Sequence, residues 1–162
     1  MLCLYDVVGS HADNSENIRI VNTVAAHVKA GGTALISVMN FELTEYLATQ
    51  SLSIATEPDR LLDLAPSSTM EASGNIFDPD HFMIDPDEQV VYRREQFTSG
   101  SALPAELLVR DRRFRRQEIE NMCRSSGLDV IWSRFVRAGR WEISLQATDS
   151  GAKEILLLCR KS

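Results

Sequence analysis

Four side chains in the N-terminal quarter of the sequence have the chemistry to bind a small molecule. Tyr5 and Asp6 lie in one apolar run, His11 follows shortly after it, and Asn40 follows a second apolar run. A carboxylate at Asp6 can accept a hydrogen bond from an amine, and Tyr5 can supply a phenol donor or an aromatic wall. Histidine titrates near neutral pH, so His11 can act as a base. These types together are compatible with a polar ligand site.

Each of these residues also has an ordinary structural explanation. Aspartate at Asp6 can cap a turn, and Tyr5 can be a packed aromatic side chain. A loop histidine such as His11 is commonly solvated. Asparagine is frequent where a strand turns into a helix, which is the predicted position of Asn40. Both explanations stay open for all four residues.

A second group of candidates lies in the segment from Phe77 to Phe97. Val90, Tyr92 and Arg94 alternate with their neighbours as in an exposed strand, which predicts a strand-rich insertion. Such an insertion can fold over a cleft, and Tyr92 or Arg94 would then contact the ligand. The same residues equally suit an exposed ribbon.

Composition excludes several functional classes. The 162 residues are 44% hydrophobic and 25% charged, with a net charge of −6, which disfavours attraction to nucleic acid or to anionic membranes. No apolar run reaches the roughly 20 residues of a membrane span, so we expect a cytoplasmic protein. Five arginines between Arg110 and Arg116 form one basic cluster, which we expect to pair with the acidic surface.

Cysteine and histidine spacing predicts neither disulfides nor a metal site. Cys3, Cys123 and Cys159 are far apart and each lies in an apolar context, so we expect reduced thiols in the core. The three histidines lack the spacing of zinc-binding helices or fingers.

The elements that must position the candidate residues form a strand–helix–strand unit. Leu2–Val8 reads as a buried strand, and Asp13 with Glu16 predicts a capped helix beginning near Ser15. Gly31 then ends the helix, and Thr33–Met39 forms the next strand. A connection of this length joins parallel strands, so the fold class is α/β.

Further elements follow along the chain. The predicted ones are a helix over Phe41–Gln50, an irregular segment over Ser51–Ser73, a short strand over Leu107–Val109, a helix over Gln117–Ser125 that buries Ile119, Met122 and Cys123, and strands over Leu128–Trp132 and Glu154–Leu158. The last two strands are predicted to pair as an antiparallel hairpin.

The order of these elements and their local sequences resemble the C-terminal half of class I S-adenosylmethionine-dependent methyltransferases. Leu2-Cys3-Leu4-Tyr5-Asp6 is similar to the family's fourth strand, and Lys29-Ala30-Gly31-Gly32 is similar to its turn into the fifth. Ser126-Gly127-Leu128-Asp129-Val130 resembles a later family passage. The stretch Asn40-Phe41-Glu42 resembles glycine N-methyltransferase-like enzymes, which act on small molecules.

The resemblance implies a partial Rossmann-like sheet made of the family's fourth to seventh strands, with an antiparallel insertion after the fifth. One domain would span residues 1–162, comprising a strand–helix–strand–helix part (1–50), an insertion or lid (51–110), and a helix with the C-terminal hairpin (111–162).

The resemblance also implies roles for individual residues. S-adenosylmethionine would be the cofactor, and the binding site would lie at the C-terminal ends of the strands. Tyr5 and Asp6 would face the cofactor and take part in catalysis, with His11 as a possible base. Asn40, Phe41, Tyr92 and Arg94 would bind the methyl acceptor.

One departure from the family is large. The eight glycines include no Gly-x-Gly-x-Gly turn, and the family's first three strands are absent. We therefore expect a truncated form that is inactive alone and that associates through an exposed sheet edge, as a homo-oligomer or with another chain. The alternatives are a non-catalytic partner domain, or a binding module that uses the cleft without the cofactor.

Overall fold

The structure is a computed structural model that describes residues 1–51, 64, 76–97 and 105–162. The chain divides into two compact units, one formed by Met1–Leu43 with Arg112–Ser162 and the other by Thr44–Asp111. The elements in chain order are β1 (Leu2–Cys3), α1 (Asn14–His27), β2 (Thr33–Met39), α2 (Phe41–Ser51), a 3₁₀ turn (Pro79–His81), β3 (Met83–Asp85), β4 (Val90–Phe97), β5 (Ala105–Arg112), α3 (Arg116–Ser125), β6 (Leu128–Arg137), β7 (Arg140–Leu145) and β8 (Glu154–Lys161).

The first unit contains a mixed sheet with the strand order β1-β2-β8-β6-β7. β1 and β2 are parallel, whereas β8 runs antiparallel to both β2 and β6. The helix α1 connects the two parallel strands, as expected for a crossover. This architecture confirms the α/β class.

Helix α1 begins where the sequence predicts. Its N-cap is Asp13, whose carboxylate accepts a hydrogen bond from Ser15 N at 2.8 Å. Glu16 pairs with Arg19 in the next turn. The chain leaves the helix at Val28, whose backbone is extended, and Gly31, with φ +72°, lies in the turn that follows before β2.

The core of the first unit lies between the sheet and the helices α1 and α3. Val21 and Ala25 of α1, Ile119 and Cys123 of α3, and Leu157 of β8 are all buried there. Ile119, Met122 and Cys123 face inward as predicted. Cys3, Cys123 and Cys159 are buried free thiols, which confirms the core assignment.

Three expectations about the first unit are wrong. The strand predicted over Leu2–Val8 ends at Cys3, because Tyr5 and Asp6 take left-handed conformations that no strand accommodates. Helix α1 ends at His27 rather than at Gly31, because the backbone of Val28 is already extended. The strands β6 and β8 do pair antiparallel, but β7 lies between them in the chain, so the C-terminal hairpin is β6–β7.

The second unit has a sheet of its own, with the order β3-β4-β5. The prediction of an exposed strand around Val90 is wrong, because alternate residues of β4 are buried: Val91, Arg93 and Glu95. The Arg93 guanidinium lies 2.6 Å from Glu95 Oε1 and 2.9 Å from Asp111 Oδ1. Burial of the charged residues is therefore compensated by pairing. The irregular segment predicted over 51–73 lies almost entirely outside the described residues.

Candidate functional site

The loop that follows β1 has an unusual backbone. Tyr5 and Asp6 have φ values of 59° and 62°, which side chains with a Cβ adopt at a cost of about 1–3 kcal/mol each. Tyr5 is 71% exposed, whereas Asp6 is half-buried. Backbone strain of this kind persists only where the surroundings impose it, so the contacts that hold this loop decide its geometry.

Helix α1 holds one side of the loop through Asn17, which is completely buried. Its Oδ1 accepts a hydrogen bond from Gly9 N at 2.9 Å, and its Nδ2 donates to His11 O at 2.8 Å. Sequence reasoning missed this residue. The available signal was a polar side chain in the first turn of α1, on the face that the helix buries.

A second attachment comes from the segment Arg112–Phe114, which bridges the loop and the end of β2. Arg112 N donates to Gly9 O at 2.8 Å, and Phe114 N donates to Met39 O at 3.0 Å. On the other side, Tyr5 N donates to the buried Ser37 Oγ at 3.1 Å. The loop is thus fixed to both α1 and β2.

Gly9 allows this close packing because it has no side chain. A Cβ at this position would lie 2.5 Å from Asp6 Oδ1 and 2.6 Å from Arg112 O, and φ is +121°. No other residue type fits such contacts without a shift of the backbone. Gly9 therefore allows the Asp6 carboxylate to pack directly against the backbone at position 9.

Asn40 and Phe41 lie at the carboxyl end of β2, the edge at which Tyr5 and Asp6 follow β1. Both are completely buried. Asn40 Nδ2 donates to Ala147 O and to Ala152 O, each at 2.7 Å, and its Oδ1 accepts from Glu42 N at 2.9 Å. The amide thus caps α2 and fastens the β7–β8 loop. These contacts assign the Asn40 amide to the structure of the edge.

The other predicted site residues lie further apart. His11 is exposed in the loop before α1, and its backbone carbonyl is held by Asn17. Tyr92 and Arg94 belong to β4 of the second unit, where both are half-buried and Arg94 Nη1 donates to Leu64 O at 2.8 Å. The first unit therefore brings together Tyr5, Asp6 and His11 on one loop.

The basic cluster is not the surface feature that the sequence predicts. Arg113 is completely buried, Arg112 is buried and pairs with Glu118 at 2.7 Å, and Arg115 lies over the Phe41 ring. Burial, together with the charges of Arg137 and Arg113, lowers the pKa of Lys153 below its usual range.

The residues of this edge fit one part of S-adenosylmethionine. The Asp6 carboxylate is suited to an ammonium group, and Tyr5 presents an exposed aromatic ring. The sequence holds no glycine-rich turn for the remainder of such a cofactor. Among the described residues no group of three or more His, Cys, Asp or Glu gathers as a metal site, and no described helix has the length and hydropathy of a membrane span.

Comparison with known proteins identifies the fold. The methyltransferase CcbJ from Streptomyces caelestis superposes with a TM-score of 0.62 at 14% identity, over 99% of this chain and 59% of its own. An S-adenosylmethionine-dependent methyltransferase from Clostridium acetobutylicum gives a TM-score of 0.59 at 13% identity, over 99% of this chain and 57% of its own. No protein-family model and no curated protein matches the sequence.

These structures show that the chain has the fold of S-adenosylmethionine-dependent methyltransferases. They also show a difference in length, since the chain spans less than two thirds of either methyltransferase. The likeness concerns the fold alone at these identities.

Proposed function

We propose that this chain forms the acceptor-side part of an S-adenosylmethionine-dependent methyltransferase that acts on a small molecule. Its strands β1, β2, β6 and β8 would correspond to the fourth to seventh strands of the class I sheet. The observation that carries the proposal is the strained pair Tyr5–Asp6, which lies at the carboxyl end of β1 in a methyltransferase fold. Strain that is maintained by buried contacts is typical of functional sites.

The proposed role of these residues is mainly to align the acceptor with the methyl group of the cofactor. S-adenosylmethionine supplies, when bound, a methyl group on a sulfonium ion. Asp6 accepts a hydrogen bond from an ammonium group of the cofactor or from the amine of the acceptor, and Tyr5 provides a wall that limits its orientation. His11, exposed on the same loop, takes up the proton that an acceptor releases.

We propose that the methyl acceptor is a small molecule with an amine, because the sequence Asn40-Phe41-Glu42 resembles that of glycine N-methyltransferase-like enzymes. The carboxylate of Asp6 favours a cation. Asn40 and Phe41 serve the acceptor indirectly, because their buried contacts fix the end of β2. The net charge of −6 argues against nucleic acid or a membrane as partner, and we propose a cytoplasmic location.

A second candidate function is a non-catalytic partner that regulates or stabilises another chain. The absence of a Gly-x-Gly-x-Gly turn in the sequence favours it. It predicts association without methyl transfer.

The test is an assay of the chain purified in its native assembly from the source cells. S-adenosylhomocysteine release is measured with S-adenosylmethionine and a panel of small amines, alcohols and acids. We expect turnover with an amine, and a loss of at least about tenfold in kcat/KM for Asp6→Asn and for Tyr5→Ala, since the first removes the charged acceptor and the second removes the aromatic wall.

Asp129→Asn is the matched control, because Asp129 is exposed and its carboxylate accepts a hydrogen bond from Ser162 on another part of the sheet. It is expected to leave turnover unchanged. An assembly that binds S-adenosylmethionine but methylates nothing in the panel would favour the non-catalytic candidate.

A further inference from the structure

The β6–β7 hairpin places two arginines directly opposite each other. Its turn consists of Ala138 and Gly139, and Gly139 has φ +71°. Because a turn of two residues pairs the residues that flank it, Arg137 of β6 lies opposite Arg140 of β7. Like charges in directly opposite positions of an antiparallel pair are destabilising. The hairpin therefore holds two guanidinium groups side by side at a cost to its own stability, and such costs are typical of functional positions.

The charge of Arg137 has no partner that offsets it. Within the described part of the chain, Arg137 makes neither a hydrogen bond nor an ion pair with another residue. Arg140 Nε lies 3.8 Å from Glu142 Oε1, and both side chains are exposed, so this contact is loose. Burial, together with the positive charges of Arg137 and Arg113, lowers the pKa of Lys153. Arg137 therefore repels neighbouring cations and is available to an anion.

A cavity of about 390 Å³ opens beside the two arginines. Both of them line it, and so do the apolar side chains of Ile143 and Leu145 on β7. Gly151 lies at its border, where a Cβ would be 3.4 Å from Leu145 Cδ1 and 4.0 Å from Arg137 Cδ. The volume falls within the usual range of small-molecule sites. The cavity thus combines a cationic end with an apolar wall.

We propose that this cavity binds a small organic molecule that carries a single carboxylate on an apolar body. The planar guanidinium of Arg137 donates two parallel hydrogen bonds to the carboxylate, and Arg140 donates from the opposite strand. Ile143 and Leu145 pack against the apolar body. The site lies at the other end of the sheet from the loop after β1, so it goes beyond the proposed function and does not depend on it.

Two acidic residues of the cavity determine which charge is accepted. Glu142 and Asp149 also line it, so a dianion such as phosphate would lie close to two carboxylates and be repelled. A cation is disfavoured as well, because Glu142 already lies against Arg140, and Asp149 Oδ2 accepts a hydrogen bond from Gln146 N at 2.8 Å. Arg137 is the residue left to be matched, and one negative charge matches it.

The test is an NMR titration of the purified chain with sodium hexanoate at constant ionic strength. We expect saturable shifts at the Arg137 Nε–H and at the methyl groups of Ile143 and Leu145. No such shift is expected at Ile131, an exposed isoleucine of β6 outside the cavity. Hexanamide has the same shape without the charge, and it should bind at least about tenfold more weakly, as should inorganic phosphate.

Variants then assign the binding to the arginine pair. Arg137→Met keeps the aliphatic part of the side chain and removes the charge, so hexanoate should bind at least about tenfold more weakly. Arg140→Met should weaken binding at least about threefold. The matched control is Arg160→Met, because Arg160 is exposed on β8 opposite Asp129, at the far end of β6, and this change should leave the affinity unchanged.

Thermal unfolding without hexanoate separates binding from a structural role of Arg137. Because Arg137 and Arg140 repel each other, Arg137→Met should unfold at a temperature no lower than that of wild type. A lower unfolding temperature would show that Arg137 supports the fold, which contradicts the proposal. A folded chain without saturable shifts, equal binding of hexanamide, tighter binding of phosphate, or equal affinities of Arg137→Met and Arg160→Met also overturns it.

Discussion

At the scale of single residues, the loop after β1 depends on two buried positions rather than on the residues that carry its chemistry. Gly9 permits the close approach of the Asp6 carboxylate and the Arg112 carbonyl, and Asn17 satisfies the backbone of the loop. The residues proposed to contact ligands and the residues that hold the loop are therefore different, and mutations at the two kinds of position should have different effects.

Replacement of Asn17 tests the attachment of the loop to α1. Asn17→Ala leaves Gly9 N without its buried acceptor and His11 O without its donor, so we expect the free energy of unfolding to fall by about 2–3 kcal/mol. Urea denaturation followed by circular dichroism measures this change. Asn22→Ala, an exposed asparagine on the same helix, is expected to stay within about 0.5 kcal/mol of wild type. Equal effects at the two positions would show that Asn17 does not hold the loop.

Substitution at Gly9 tests the close approach itself. Gly9→Ala should cost about 3 kcal/mol or more, because its Cβ would overlap Asp6 Oδ1 and the Arg112 carbonyl at an unfavourable φ. Gly139→Ala is the control, since Gly139 also has positive φ but has no atom within 4 Å of the added Cβ, and it should cost about 1 kcal/mol. Thermal unfolding of the two variants compares these costs. A similar decrease in unfolding temperature for both variants would mean that the positive φ, and not the close contacts, is what requires glycine at position 9.

At the scale of elements, the sequence predicts those with strong periodicity or clear end signals. Thr33–Met39 and α1 follow from apolar runs bounded by Asp13 and Gly31. β7 was missed although its residues, RWEISL, alternate between polar and apolar side chains, which is the pattern of a strand. The early end of β1 depends on left-handed residues that are not glycine, which sequence patterns do not identify.

The sequence predicted where the candidate residues lie along the chain, but not the contacts that hold them in position. Tyr5 and Asp6 could be found because they follow an apolar run near the chain start. The roles of Asn17 and Ser37 depend on contacts with other segments of the chain. The Asn40 amide donates its hydrogen bonds to carbonyl groups more than a hundred residues away along the chain. Such partners are set by the tertiary fold, which a local pattern does not contain.

The buried charges of the second unit give a prediction for β4 and β5. Arg93 pairs with both Glu95 and Asp111, so Arg93→Met leaves two carboxylates buried without their guanidinium and should cost about 3–5 kcal/mol. The exposed pair Arg140–Glu142 supplies the control: Arg140→Met should change stability by less than about 0.5 kcal/mol. Urea denaturation is the measurement. A small effect at Arg93 would mean that the carboxylates gain other partners or protons.

The start of β8 gives a prediction about pH. Burial raises the pKa of Glu154, and the neighbouring Trp141 side chain offsets part of this effect. The folded protein therefore holds this proton more tightly than the unfolded chain, so the stability linked to Glu154 is present at low pH and is lost as pH rises through its raised pKa. Glu154→Gln should be more stable than wild type at about pH 7, with no difference near about pH 4. Denaturation at both pH values tests this, and the exposed Glu142→Gln should show no such dependence.

At the scale of the whole molecule, the two ends of the main sheet have different surroundings. The C-terminal strands β6, β7 and β8 form an antiparallel system that is internally paired, whereas β1 ends the sheet with exposed apolar side chains. The chain thus contains the residues of its own core, whereas its sequence contains no Gly-x-Gly-x-Gly turn for S-adenosylmethionine. We therefore expect folding of this chain and binding of the cofactor to be separable.

Calorimetric titration of the purified chain with S-adenosylmethionine, and separately with S-adenosylhomocysteine, tests that separation. The chain alone offers Asp6 and Tyr5 for one end of the cofactor, and the loss of binding entropy outweighs so few contacts. We therefore expect a folded chain, verified by a cooperative thermal transition, that shows no saturable binding in the micromolar range. Micromolar binding by the chain alone would mean that its own residues form a complete cofactor site.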